Sequence, residues 1–154
     1  GDEVLREAAL RLRDQARASD FVLRWGGEEF LLVGRDCGHA SAPLWAQRVV
    51  AALRSRPVET SAGPVRVTGS IGYAVYPSRD GDGKEDWQFT LTLADAATYA
   101  AKREGRNRAV GITLEREPPA DGFGSRLLED LETLQSEGWL RVLRGTDAGA
   151  ESVR

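Results

Sequence analysis

The sequence predicts a mixed α/β domain, a central and mostly antiparallel sheet flanked by helices. Three observations carry this expectation. Apolar residues recur at helical spacing in three separate segments. Between them lie short runs rich in Val, Ile, Leu and Phe, bounded by Gly and Pro turns. The length, 154 residues, fits one domain with a real core.

The elements follow in order. Asp2 is placed to cap a helix running to about Ala18, with Leu5, Ala8, Ala9, Leu12 and Ala16 on one face. Phe21-Val22-Leu23 and Phe30-Leu31-Leu32-Val33 flank Gly26-Gly27 and read as a β-hairpin, the glycines supplying the positive φ of a tight turn. A second helix is expected over Pro43 to Arg54, with Trp45, Val49, Ala52 and Leu53 inward. Val58-Glu59-Thr60 and Val65-Arg66-Val67 flank a turn at Ser61 to Pro64. The second of these continues with period two through Ile71, Tyr73 and Val75 to Tyr76. Pro77 to Asp86 is a polar loop. A third helix starts near Thr92, where Thr92-x-x-Asp95 has a capping-box pattern, and stops at Gly105. Ala109 to Leu114 reads as a strand. Residues 115–123, with Pro118-Pro119 and Asp121-Gly122, form a linker. In 124–154, Leu127, Leu128, Leu131 and Leu134 mark a short helix stopped by Gly138, and Leu140 to Leu143 has the character of one more strand.

Composition excludes several classes. A net charge of −3 argues against a broad nucleic-acid surface. No run of about 18 apolar residues is present, so no membrane contact by this segment is expected. Cys37 is the sole cysteine, which excludes an internal disulfide and suits a reducing cytoplasm. With His39 as the one histidine, a zinc cluster is not expected. Asp80-Gly81-Asp82-Gly83 opens like a calcium loop, but Glu85 and Leu91 stand where the loop needs glycine and a bidentate acid. It reads as a surface turn.

Two clusters carry chemistry. Arg24-Trp25-Gly26-Gly27-Glu28-Glu29-Phe30 sets two acceptor-only carboxylates beside glycines that let a bulky ligand approach the backbone. That combination suits a nucleotide and a hard cation, with a solvated turn as the plainer alternative. Lys102 and Arg106 lie four apart at the end of the third helix. They form either a phosphate clamp or a pair of cations favoured by the helix dipole.

Paired with Tyr99-Ala100-Ala101-Lys102-Arg103-Glu104-Gly105-Arg106-Asn107, the first cluster resembles the GGDEF family of diguanylate cyclases, which condense two GTP molecules into cyclic di-GMP. Gly1 to Leu5, Ser70-Ile71-Gly72 and Leu93-Ala94-Asp95 match the family pattern in order and spacing. The resemblance covers residues 1–114, which would be the catalytic domain, and implies a palm-like nucleotide cyclase fold. It implies Glu28 and Glu29 as catalytic, metal-binding acids for Mg²⁺ or Mn²⁺, with Glu28 the candidate base. It also implies Gly26 and Gly27 against the nucleotide, Lys102 and Arg106 on the triphosphate, and Asp2 on the guanine edge. Arg17 and Asp20 have the RxxD spacing of the family's inhibitory product site, and Arg48 stands where a further arginine of that site falls. The partners implied are GTP, cyclic di-GMP and a second copy of the chain. A non-catalytic GGDEF domain, acting as a nucleotide sensor or dimerisation module, is the alternative.

The family's first strand and helix, with a metal-binding Asp and a guanine-reading Asn, have no counterpart in these residues. The expectation is that residues 1–154 alone make little cyclic di-GMP, and that another chain or Leu140 to Leu143 fills free strand edges.

Overall fold

The computed structural model describes residues 1–78, 87–119 and 122–145. The Asp80–Gly83 turn and residues 146–154 lie outside the described residues. The elements run α1 (Asp2–Asp14), β1 (Phe21–Gly26), β2 (Glu29–Val33), α2 (Ala42–Arg54), β3 (Val58–Thr60), β4 (Gly63–Val65), β5 (Ile71–Tyr73), α3 (Trp87–Arg103), β6 (Ala109–Leu114), α4 (Phe123–Glu129), α5 (Leu131–Ser136) and β7 (Leu140–Arg144). The α/β class is as expected, and antiparallel pairing dominates: β1 with β2, β3 with β4, and β6 with β7, against one parallel pair, β5 with β6. The strands form two hairpins and a β5-β6-β7 sheet rather than one hydrogen-bonded sheet.

The largest core lies where α3, β6, α4, α5 and β7 meet. Leu93, Val110, Leu127, Leu134 and Leu140 are all at most 1 % exposed there. Burying each such side chain stabilises the fold by about 1.5–3 kcal/mol. Small residues on the buried face of α3 (Ala96, Ala97, Ala100, Ala101) let the strands approach closely. Gly72 of β5 is part of that fit, because a Cβ there would sit 2.1 Å from the Ala94 carbonyl oxygen. A second cluster joins Ala8 and Leu12 of α1 to Val49 and Leu53 of α2, and Val22, Phe30 and Leu32 of the hairpin pack on it. The other hairpin face, with Phe21, Leu23, Trp25 and Val33, is exposed.

Several boundaries depart from the sequence expectations. Helix α1 stops at Asp14, not Ala18. The Gln15 carbonyl accepts from Trp45 Nε1 at 2.7 Å, and the Arg17 N–H donates to Asp20 Oδ2 at 2.7 Å. Side chains thereby engage the groups that further helical turns would use. Asp2 is the first helical residue, and Gly1 takes the cap position without a side-chain bond, so Asp2 is not the cap. In the second hairpin Gly63 to Val65 pairs with Val58 to Thr60, which leaves only Ser61-Ala62 as the turn. The extended run expected from Val65 to Tyr76 is strand only at both ends of 63–73, with Arg66 to Ser70 irregular. Helix α3 begins at Trp87, and Thr92 lies inside it, its hydroxyl donating to the Gln88 carbonyl at 3.1 Å. Packing of Phe89 against the core, with its ring 6.3 Å from that of Phe123, carries the early turns. The leucine segment is two helices broken at Asp130 (φ −144°). That break lets both Leu127 and Leu134 reach the core and leaves Leu128 exposed.

Candidate functional site

The hairpin tip is built by β1, β2 and a two-residue turn. Pairing runs Arg24 to Phe30 and then Gly26 to Glu29, an irregularity that leaves Gly27-Glu28 at the apex. Positive φ falls at Gly63, Gly105, Gly122 and Gly138 among the described glycines, not at Gly26 or Gly27, so the expected positive-φ turn is corrected. The tip is braced instead by Arg24, whose Nε and Nη2 donate to the Gly27 carbonyl at 3.1 and 2.8 Å. Sequence reasoning missed this fork; its one signal was an arginine three residues before the turn. Glu28 and Glu29 are both exposed. A Cβ at Gly27 would meet nothing within 4 Å, so the space above the tip is open to a ligand.

The second cation-bearing segment ends α3. Gly105 has φ +110° and the Arg106 N–H reaches back to the Ala101 carbonyl at 2.9 Å, a glycine-terminated helix end. Arg106 (φ 62°) and Asn107 (φ 49°) stay left-handed. Lys102 and Arg106 are exposed, and neither side chain has a hydrogen bond or ion pair among the described residues. Cations left unpaired beside a helix end are suited to an anion.

A third constellation forms a pocket of about 130 Å³ between the end of α1, the segment after β2 and the start of α2. Arg17, Asp20 and Arg48 all line it, although Arg48 lies about 30 residues from the other two in sequence. Arg35, Asp36, Cys37 and Trp45 line it too, and these were not anticipated. Asp20 takes the backbone N–H of Arg17 and that of Arg35, at 2.7 and 3.1 Å, rather than an ion pair with Arg17. It therefore ties the two arginine-bearing segments together. Arg48 Nη2 donates to the Gln15 carbonyl at 3.4 Å.

No hydrogen bond or ion pair links Asp2, the hairpin tip and the α3 terminus to one another among the described residues. Nor does any group of three His, Cys, Asp or Glu side chains converge there. Glu28 and Glu29 still fit a divalent cation of the Mg²⁺ type, which takes one or two carboxylates and completes its shell with substrate phosphates and water.

Comparison with known proteins decides the family. Residues 1–108 match the GGDEF domain of diguanylate cyclases. The chain belongs to the GGDEF family. It is 41 % identical over 107 residues to the bifunctional diguanylate cyclase/cyclic di-GMP phosphodiesterase MucR of Pseudomonas aeruginosa, covering 70 % of this chain and 15 % of MucR. It is 41 % identical over 113 residues to the response regulator PleD of Caulobacter vibrioides, covering 72 % of this chain and 24 % of PleD. The chain thus spans a quarter or less of these relatives. Among solved structures it resembles the GGDEF domain of DgcB from Caulobacter crescentus in complex with c-di-GMP, with TM-score 0.63, 27 % identity and coverage of 71 % of this chain and 63 % of that one. It also resembles the GGDEF domain of YfiN (TpbB) from Pseudomonas aeruginosa, with TM-score 0.62, 32 % identity and coverage of 87 % and 68 %. The match takes in the hairpin tip and the end of α3 and stops where β6 begins. No described helix is long and apolar enough to cross a membrane.

Proposed function

We propose that this GGDEF domain is the catalytic unit of a diguanylate cyclase that condenses two GTP molecules into cyclic di-GMP, each condensation expelling pyrophosphate. One observation carries the reading: two exposed carboxylates, Glu28 and Glu29, flank open space at a tip braced by Arg24. Glu28 and Glu29 would hold Mg²⁺ or Mn²⁺, which when bound supplies positive charge to the reacting phosphate. Glu28 takes the proton of the attacking 3′-hydroxyl. Gly26 and Gly27 give the nucleotide its seat on the backbone. Lys102 and Arg106 hold the triphosphate, and Asp2, whose carboxylate makes no hydrogen bond among the described residues, accepts from the guanine edge. Positioning and charge stabilisation carry most of such a transfer.

One domain holds one GTP, so two copies face each other as a symmetric dimer during catalysis. The pocket of Arg17, Asp20 and Arg48 takes the product and slows the enzyme, Arg35 adding a further guanidinium at its wall. DgcB was solved with c-di-GMP, which supports product binding by this family. Residues 1–114 carry the catalytic residues; Phe123, expected in a linker over 115–123, instead opens α4 and is buried in the main core, so α4 to β7 complete that core. The working compartment is the cytoplasm.

The test is incubation of the complete protein with GTP and Mg²⁺, with product separated by chromatography. Glu28→Gln is expected to abolish cyclic di-GMP while melting at the wild-type temperature. Near-normal turnover by that variant would overturn the assignment.

A further inference from the structure

We propose that Trp45 is a positioning residue for the arginine pocket: its indole N–H holds the Gln15 carbonyl and so leaves the Arg48 guanidinium for the ligand. The inference rests on reading that pocket as the site of the product, cyclic di-GMP. Helical spacing alone puts Trp45 on the inward face of α2, with no link to the pocket.

Helix α1 ends at Asp14 and Gln15 follows as its C-cap. Carbonyls at a helix end lack partners within the helix and carry the negative end of its dipole. Two donors from α2 reach the Gln15 carbonyl. Trp45 Nε1 donates at 2.7 Å and Arg48 Nη2 at 3.4 Å. The two residues are three apart on α2, so both lie on one face of it. Their bonds are unequal. The indole contact is short, and that of the guanidinium is longer than the usual N–H···O range. Arg48 is exposed and makes no other hydrogen bond or ion pair among the described residues. Indole and guanidinium thus meet at one oxygen, and the indole has the firmer hold. All three residues line the pocket.

The indole is itself held. Gly34 leaves the space that the ring fills, since a Cβ there would sit 2.5 Å from Trp45 Cζ3. The ring also packs against the cluster of Ala8, Leu12, Val49 and Leu53. Without the N–H, the Gln15 carbonyl keeps one side-chain donor, Arg48. A cation beside a helix C-terminus is favoured by the dipole, so the guanidinium would close on that oxygen. A ligand anion would then have to break that contact before Arg48 could serve it.

The test uses the complete protein, with cyclic di-GMP affinity read by calorimetry. Trp45→Phe keeps a ring against Gly34 and removes the N–H. It is expected to weaken binding about fivefold, the scale of one neutral hydrogen bond. Arg48→Ala is expected to weaken it about tenfold, the scale of a charge-assisted one. The double variant is expected to lose no more than Arg48→Ala alone, because Trp45 acts through Arg48. A structural role for Trp45 would instead make the two losses multiply. Gly34→Ala drives the ring off its seat with the N–H intact, and it is expected to weaken binding as Trp45→Phe does, again with no added loss beside Arg48→Ala. This second variant decides the matter if Trp45→Phe folds poorly. The inference is overturned if Trp45→Phe and Gly34→Ala bind as wild type while Arg48→Ala binds poorly, or if the losses multiply. If Arg48→Ala binds normally, or the unmutated protein fails to bind, the pocket reading falls and this inference falls with it.

Discussion

The carboxylate of Asp20 accepts the backbone N–H of Arg35 at 3.1 Å, joining the turn after α1 to the segment after β2. With its other oxygen on the Arg17 N–H, Asp20 fixes two arginines at one pocket. Neither the Arg17 nor the Arg35 guanidinium has a hydrogen bond among the described residues, so both are available to an anion.

Arg35→Ala and Arg17→Ala are each expected to weaken cyclic di-GMP binding about tenfold, the scale of one charge-assisted hydrogen bond. Asp20→Asn should weaken it as well, because the amide NH2 replaces one of the two oxygens and leaves either the Arg17 or the Arg35 N–H without its acceptor. Calorimetry on purified protein measures this. Failure of the unmutated protein to bind cyclic di-GMP would reduce Asp20 to a loop clamp and remove the product site.

Arg24→Ala removes the fork from the Gly27 carbonyl at the hairpin tip. The tip is exposed, so stability should change by no more than about 0.5 kcal/mol. Cyclic di-GMP synthesis should fall at least about tenfold, because the two carboxylates lose their fixed placement. Arg24→Lys should recover little, since an ammonium cannot supply the fork. Equal turnover by wild type and Arg24→Ala would mean that the turn holds itself.

Arg11 is buried, yet charged. Its guanidinium donates to the carbonyls of Leu53, Arg56 and Pro57 at 2.7, 2.8 and 3.2 Å, and to Glu7 at 2.9 Å. It thus terminates α2 from the flank of α1. Arg11→Met keeps the aliphatic stem and strands those acceptors, so the fold should lose about 3 kcal/mol. Urea denaturation reads the loss. A change below about 1 kcal/mol would show that water replaces the guanidinium.

A chain ended at Pro119 tests whether the first 114 residues stand as a domain. It would lose Phe123, Leu127, Leu134, Leu140 and Val142 from the main core and bare the β6 edge that β7 covers. Exposed apolar surface beside an unpaired strand should make it aggregate. Solubility and size-exclusion behaviour measure this. A soluble, cooperatively melting fragment would show that the extension is dispensable to the fold.

The residues from 1 to 114 determined much without the structure. Apolar periodicity marked α2 and most of α1, the paired apolar runs marked the β1-β2 hairpin, and Ala109 to Leu114 read as β6, because each signal is local to its own segment. Residues 26–30 with Lys102 and Arg106 carried the resemblance to the family that the match over residues 1–108 bears out. Tertiary structure decided what depends on partners distant in sequence. Helix α1 ends where Trp45, 30 residues on, engages the Gln15 carbonyl. Helix α3 begins early because Phe89 has the Phe123 region to pack against. Arg35 joins the pocket through Asp20, and Arg144 reaches Glu104 only because β7 lies beside β6. Spacing along the chain encodes the face of a helix or strand, but not which face of which other element it will meet.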